Sequence, residues 1–326
     1  MGEGGAPWLL LPLSGLFFLV SGLRRLAYRR GLLQVTRLPV PVIVVGNISV
    51  GGTGKTPLTL WLVEMLQATG YRPGIVSRGY GGRQRGPLVV TPASDPAEVG
   101  DEPLMLARRA QVPVYIGRRR PAAARALLRA HPDTDVIVTD DGLQHYALGR
   151  DLEIAVVDGV RRFGNGRLLP AGPLRESPRR LDTVDAVVVN GGTTDWLRVA
   201  SPVYPMRLTP VRLRRLCDPE DVRGLDWLRG RRLDAVAGIG HPERFFELLR
   251  ELGAVVTPHP FPDHHGFRPQ DLPAGPVVMT EKDAVKCAAF ARADDWVLEV
   301  DAVVDPALQT RILNRLPPPR HGRQTT

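Results

Sequence analysis

V-P-V-I-V-V-G-N-I-S-V-G-G-T-G-K-T, residues 40–56, decides how this 326-residue chain is to be read. The apolar run Val42 to Val45 stops at Gly46, a glycine-rich loop follows, and Lys55-Thr56 opens a segment, 58–66, whose apolar residues recur at helical spacing. Strand, loop and helix in that order predict a phosphate-binding loop. Ser49, Val50, Gly51, Gly52, Thr53 and Gly54 give a backbone open enough for amides to converge on phosphate oxygens. The Lys55 ammonium would reach the β and γ phosphates, and the Thr56 hydroxyl would bind Mg²⁺. Ser49 stands where the general pattern has its first glycine. The plainer reading is a tight strand-to-helix turn.

Working outward, the length suits one large core or two modest ones, and two domains is the better expectation. The net charge of +9 would suit nucleic acid, anionic lipid or a phosphorylated substrate. The chain has 40 Arg and only three Lys, so much of that charge reflects a preference for Arg and says little about partners. A lysine that survives such a preference marks a place where a compact ammonium is wanted. Lys55 fits, and Lys282 and Lys286 become candidates. Cys217 and Cys287 make no C-x-x-C pair and no disulfide framework, which points to a reducing compartment. Aromatics are 6% of residues and are not interleaved with the basic stretches, which disfavours nucleic acid.

Upstream, residues 7–20 (P-W-L-L-L-P-L-S-G-L-F-F-L-V) carry no charge and are followed by Arg24, Arg25, Arg29 and Arg30. This run is shorter than the roughly 20 residues of a spanning helix. A secretory signal would place its positive charge first. Two readings remain: a helix lying in a membrane surface, with Trp8, Phe17 and Phe18 among acyl chains and the arginines on head groups, or an ordinary buried helix.

Downstream, 73–77, 113–116, 135–139, 152–158 and 184–190 read as strands. The glycine-rich S-R-G-Y-G-G-R (77–83) follows the first of these, as a ligand-facing loop or as a surface turn. Asp101 and Glu102 precede a helical run, where a carboxylate either caps the helix or accepts a proton from an attacking hydroxyl. Arg118, Arg119 and Arg120 form either a solvated face or a group that stabilises phosphate charge. Asp140 and Asp141 arrive at the end of a buried strand, where a phosphate-loop enzyme needs an acidic group for its metal, and one of the pair is expected to be structural. Arg175 and Glu176 sit in a loop too long to be idle, binding phosphate and metal or pairing with each other. From about residue 204 an extended connector, 203–216, leads to a fresh strand, helix, strand unit and two more strands. Asp263, His264 and His265 lie in its F-P-D-H-H loop, where a histidine reaching across a cleft to orient a carboxylate is at least as plausible as a metal site. The tail from Pro317 is expected to be disordered.

The motifs, taken in order, resemble the tetraacyldisaccharide 4'-kinase family of lipid A biosynthesis. They are V-G-N-I-S-V-G-G-T-G-K-T-P, S-R-G-Y-G, G-D-E-P, D-D-G-L-Q-H, G-N-G-R-L-L-P-A-G-P-L-R-E, A-G-I-G-H-P-E-R-F-F, F-P-D-H-H and T-E-K-D-A-V-K, spread from the apolar segment to about residue 300. That family also tends to have a small hydroxyl residue at the position of Ser49. The resemblance implies a peripheral enzyme on the cytoplasmic face of a Gram-negative inner membrane, transferring the γ-phosphate of Mg-ATP to the 4' hydroxyl of a tetraacyl disaccharide 1-phosphate to give lipid IVA. It implies Asp101 as general base assisted by His264, with His265 the alternative if the alignment slips by one. Asp140, Asp141 and Glu176 would surround the metal with Thr56, and Arg120 and Arg175 the phosphates. The implied fold is an α/β/α sandwich of the phosphate-loop NTPase kind (33–205) with a smaller α/β domain (206–326) and an N-terminal membrane-associated helix (1–32).

Two other classes compete. A regulatory GTPase or metallochaperone calls for N-K-x-D or T-K-x-D, whereas T-E-K-D at 280–283 has its Lys and Asp adjacent. A nucleotide-gated membrane adaptor would bind ATP yet phosphorylate nothing.

Overall fold

A computed structural model of the chain describes residues 7–84 and 86–320. In chain order the elements are α1 (Leu11–Arg29, entered through a 3₁₀ turn Pro7–Leu10), β1 (Val42–Gly46), α2 (Lys55–Ala68), β2 (Pro73–Ser77), β3 (Leu88–Val90), α3 (Pro96–Val99) and α4 (Asp101–Arg109). Next come β4 (Val114–Ile116), α5 (Arg120–Ala130), β5 (Val136–Thr139), β6 (Leu152–Asp158), β7 (Ala186–Asn190), β8 (Val203–Arg215), β9 (Val222–Arg223) and β10 (Arg232–Ala237). The chain finishes with α6 (Pro242–Glu251), β11 (Val255–Pro260), β12 (Val277–Thr280), α7 (Glu281–Cys287), β13 (Asp295–Val304) and α8 (Pro306–Leu313).

The continuous β-branched run of β1 makes it a strand buried on both faces. It lies between β5 and β6, parallel to both. Ile43 and Val45 pack with Leu58, Leu62 and Leu66 of α2, Leu104 of α4 and Leu308 of α8 on one side. Val42 and Val44 pack with Leu127 of α5 on the other. The result is the expected α/β/α sandwich.

The sheet continues beyond this half, in the order β11-β10-β12-β13-β8-β7-β6-β1-β5-β2-β4-β3. The region read as a connector, 203–216, is mostly β8, the longest strand described, which pairs with β13 over most of its length. Its alternation matches this extended backbone, but nothing local reveals the partner about ninety positions away. Strand direction sets the position of the site. The end of β7, Asn190, is beside Met206 of β8. The end of β12, Thr280, is beside Leu298 of β13, which pairs with Leu213 of β8. Because β13 is antiparallel to β8, the carboxyl ends of the two half-sheets face each other, about 20 Å apart along β8 at roughly 3.3 Å per residue. Loops that follow strands in either half therefore open onto one cleft.

The farther half has its own clusters, Phe246 and Leu249 of α6 against Ala235 and Ala237, and Ala284 and Cys287 of α7 against Val236 and Met279. The last helix, α8, returns to the first half. Pro317, expected in a disordered tail, accepts a hydrogen bond from the Tyr71 hydroxyl at 2.7 Å, and Arg320 donates to the Pro39 carbonyl. The rest of that tail, 321–326, lies outside the described residues.

Candidate active site

Gly54, at φ +93°, caps α2, and a side chain there would meet the Asn190 amide at 2.5 Å, so both conformation and space require glycine. The loop before it is braced from all sides. Asn47 donates to the Thr53 hydroxyl, Asn190 to the Thr53 carbonyl, Gln144 to the Asn47 carbonyl and Arg161 to the Gly52 carbonyl. Ser49 bridges to Leu174, and the Val50 amide is taken by the Pro173 carbonyl at 2.8 Å. The amides of Gly51, Gly52, Thr53, Gly54, Lys55 and Thr56 find no acceptor among the described residues. Six free donors at the start of a 14-residue helix form an anion cradle.

Lys55 reaches back over the loop to within 3.6 Å of Asp141 Oδ1, and Arg175 holds the same carboxylate at 3.0 Å. Burial pushes the Asp141 carboxyl up, but Lys55, Arg175 and Arg120 outweigh it and hold it well below the usual carboxylate range. Its neighbour behaves differently. Asp140 is fully buried, accepts one hydrogen bond from the Thr59 hydroxyl at 3.2 Å, and has its second oxygen without a partner. Burial, with the nearby charge of Glu102, pushes its carboxyl up to about 7. An orphaned carboxylate oxygen, an ionised carboxylate and the Thr56 hydroxyl beside a cradle for phosphate suit Mg²⁺, which takes few protein ligands and completes its shell with phosphate and water. No cluster of three or more His, Cys, Asp or Glu side chains placed to hold a metal ion occurs among the described residues.

Arg120 and Glu176 are placed apart from this opening. Arg120 is 1% exposed, beneath the acidic turn, and donates to the carbonyl oxygens of Asp140 and Asp141, each at 2.8 Å. Its guanidinium braces the turn in which Asp141 adopts φ +49°, and it does not face the cradle. Sequence placed it in an arginine cluster, but as the first residue of α5 it turns inward. Glu176 accepts from the Tyr146 hydroxyl at 2.6 Å and from Gln144 at 2.8 Å, with Arg180 at 3.6 Å and Arg25 at 3.9 Å. Arg175 thus points to Asp141 beside the cradle, whereas Glu176 points away from it toward Arg25 of α1.

Asp101 opens α4 at the cleft. It does not cap the helix, since the cap position is Gly100 and no side-chain cap bond forms. Gly100 has φ +90°, and a Cβ there would lie 2.3 Å from the Tyr80 carbonyl, so this glycine lets the S-R-G-Y-G loop press against the start of α4. Asp101 Oδ2 is 3.4 Å from His264 Nδ1 and 3.9 Å from the Lys286 ammonium. Tyr80 packs edge-on against the His264 ring. His265 instead bonds Asp271 at 3.1 Å and stacks on Phe261, so of the two histidines it is His264 that lies beside Asp101. The far end of α4 is fixed by Arg109, which donates to Glu281 and Asp301.

The two groups of residues share one space. At Gly240, in the loop after β10, an added Cβ would lie 3.6 Å from the Gly52 amide nitrogen and 3.9 Å from Asp263 Oδ2, so the phosphate loop and the F-P-D-H-H loop meet there. Beside it, Arg244 of α6 makes a two-pronged bond to Asp158 at the end of β6, and Arg161 ties Asp158 to the loop. Sequence reading missed Asp158 and Arg244. The first had a signal, a carboxylate ending a buried strand, and the second had none.

Helix α1 touches the body along one stripe. Ser14 donates to the Leu168 carbonyl at 2.8 Å, Arg25 to the Thr183 hydroxyl, and Tyr28 packs near Tyr146. Trp8, Leu9, Leu13, Leu16, Phe18, Leu19, Val20 and Leu23 are exposed, while Phe17 is half-buried. With the preceding turn the helix runs 22 residues, Trp8–Arg29, long and apolar enough by length and composition to cross a membrane.

A family model described as tetraacyldisaccharide-1-P 4'-kinase matches residues 6–317 of the chain. The tetraacyldisaccharide 4'-kinase of Azoarcus sp. (strain BH72) is 56% identical over 325 residues, 98% of this chain and 94% of that protein. That of Methylobacillus flagellatus is 52% identical over 318 residues, 97% and 93% of the two chains. The crystal structure of LpxK from Aquifex aeolicus in complex with ATP superposes with a TM-score of 0.81 at 28% identity, covering 96% of this chain and 100% of that one.

Proposed function

The chain belongs to the tetraacyldisaccharide-1-P 4'-kinase family, and on that footing we propose how its residues divide the work of ATP-dependent phosphoryl transfer to the 4' hydroxyl of the acylated disaccharide. The free amides of residues 51–56 and the Lys55 ammonium hold the triphosphate, and Arg175 faces the same phosphates. Thr56, Asp140 and Asp141 would hold Mg²⁺. When bound, the ion neutralises charge on the phosphoryl oxygens. Asp101 accepts the proton of the attacking sugar hydroxyl, and His264 keeps that carboxylate aimed. Arg120 and Glu176 support from behind, the first by fixing the acidic turn and the second by tying Gln144 and Tyr146 to α1.

The observation that carries this reading is the meeting of the phosphate loop and the loop bearing His264 around Gly240, at the facing carboxyl ends of the two half-sheets. A donor of phosphate and an acceptor of protons are thus presented to the same space. Acyl chains resist leaving a bilayer by about 0.8 kcal/mol per CH₂, so the enzyme must go to its substrate. The exposed apolar face of α1 supports a helix lying in the cytoplasmic surface of the inner membrane. Its attachment to the body from Ser14 to Tyr28 favours lying over crossing.

The test is transfer of label from γ-labelled ATP to detergent-dispersed acylated disaccharide by the full-length protein. Asp101→Asn should lower turnover by about 10²-fold or more with Mg-ATP affinity nearly intact. Unchanged turnover removes Asp101 from the mechanism.

A further inference from the structure

All three lysines of this arginine-rich chain lie at the cleft, and the roles given above use only Lys55. Lys282, in the first turn of α7, is largely buried and places its ammonium 2.9 Å from Asp263 Oδ1, 3.3 Å from His264 Nε2 and 3.5 Å from Glu102 Oε1. Burial works against its charge, but Glu102 and Asp263 outweigh burial and push its pKa up, so it is an ammonium at neutral pH. Lys286, one turn on, is held by the buried Asp283 at 2.8 Å and fixes α7 against Asp101.

An ammonium has N–H groups to donate and no lone pair to accept with. Nε2 of His264 lies 3.3 Å from this ammonium and 3.8 Å from Asp263 Oδ1, too far to donate to that carboxylate, so it is placed to accept from Lys282. In a neutral imidazole the proton then sits on Nδ1, the nitrogen turned toward Asp101 at 3.4 Å. The opposite tautomer would set N–H against N–H at Lys282 and lone pair against carboxylate at Asp101. We propose that Lys282 is a positioning residue for phosphoryl transfer, fixing the tautomer and the ring orientation of His264 so that its Nδ1–H holds Asp101 Oδ2 and leaves Oδ1 for the sugar hydroxyl. Glu102 and Asp263 in turn fix the ammonium. This inference rests on the reading of Asp101 as the base.

The test uses the full-length protein with ¹⁵N-labelled histidine. The His264 resonances are identified by their loss in His264→Asn, and turnover is measured on the detergent-dispersed disaccharide. Lys282→Met keeps the stem and removes the donor. It should shift His264 away from a purely Nδ1–H pattern and lower kcat by about tenfold or more, with KM for Mg-ATP within about twofold of the unsubstituted protein. Lys282→Arg, which also has only donors, should restore the Nδ1–H pattern and most of kcat. An unchanged histidine pattern in Lys282→Met, or unchanged kcat, overturns the proposal. A fully active Asp101→Asn would overturn the base reading instead, and the tautomer is read from the spectrum independently of it.

Discussion

Replacing Arg120 by methionine separates two roles that a buried arginine at a phosphate site can have. Its two terminal nitrogens each donate at 2.8 Å to a carbonyl oxygen of the Asp140–Asp141 turn, and no part of it reaches the cradle. Removing the donors leaves two backbone acceptors in a dry environment, at about 1 to 3 kcal/mol each. Against that stands relief from burying a guanidinium, whose pKa burial lowers to about 10. A net loss of about 2 to 4 kcal/mol follows, a fall of roughly 3 to 6 °C in the melting midpoint of a chain of 326 residues. Lysine should recover less than half, because a single ammonium cannot span two carbonyls as a fork does. Calorimetry with and without Mg-ATP measures the loss, and single-turnover labelling measures the chemistry. A variant that melts like the unsubstituted protein but binds Mg-ATP tenfold more weakly would place the guanidinium on the phosphates and refute the brace.

Two other perturbations test separate parts of the structure. Burial works against the charge of Asp158, but Arg244 and backbone amides outweigh it and lower its carboxyl to about 2. Its contribution is therefore complete above the unfolded value near 3.9 and is lost as pH falls toward 2. Asp158→Asn should be about 2 kcal/mol less stable in urea at pH 7, with the difference shrinking below pH 4, and a pH-independent difference would contradict the assignment. On α1, Leu16→Asp with Leu23→Asp removes two exposed apolar side chains and adds charge. Co-sedimentation with anionic vesicles should weaken by about tenfold or more while Mg-ATP affinity holds, and undiminished sedimentation would remove this face from the membrane.

Local pattern was enough for much of this protein. The apolar run of β1, the glycines after it and the helical spacing of α2 specify a phosphate loop through short-range sterics, and the structure forms it at residues 46–56. The apolar character of α1 and the acidic end of β5 were equally plain, because each is a property of neighbouring residues. The facing of the two half-sheets was not, since it depends on β13 pairing with β8 in the opposite direction, a contact between segments far apart in sequence. Arg120 and Arg175 are alike as letters, yet one starts a buried helix and the other faces an open cradle. His264 and His265 are adjacent, and only the fold turns the first toward Asp101 and the second toward Asp271. Sequence periodicity records which side of an element is apolar. Which donor meets which lone pair is settled when residues more than a hundred positions apart are brought within 4 Å, and at this site that meeting positions Asp101, His264 and Lys282.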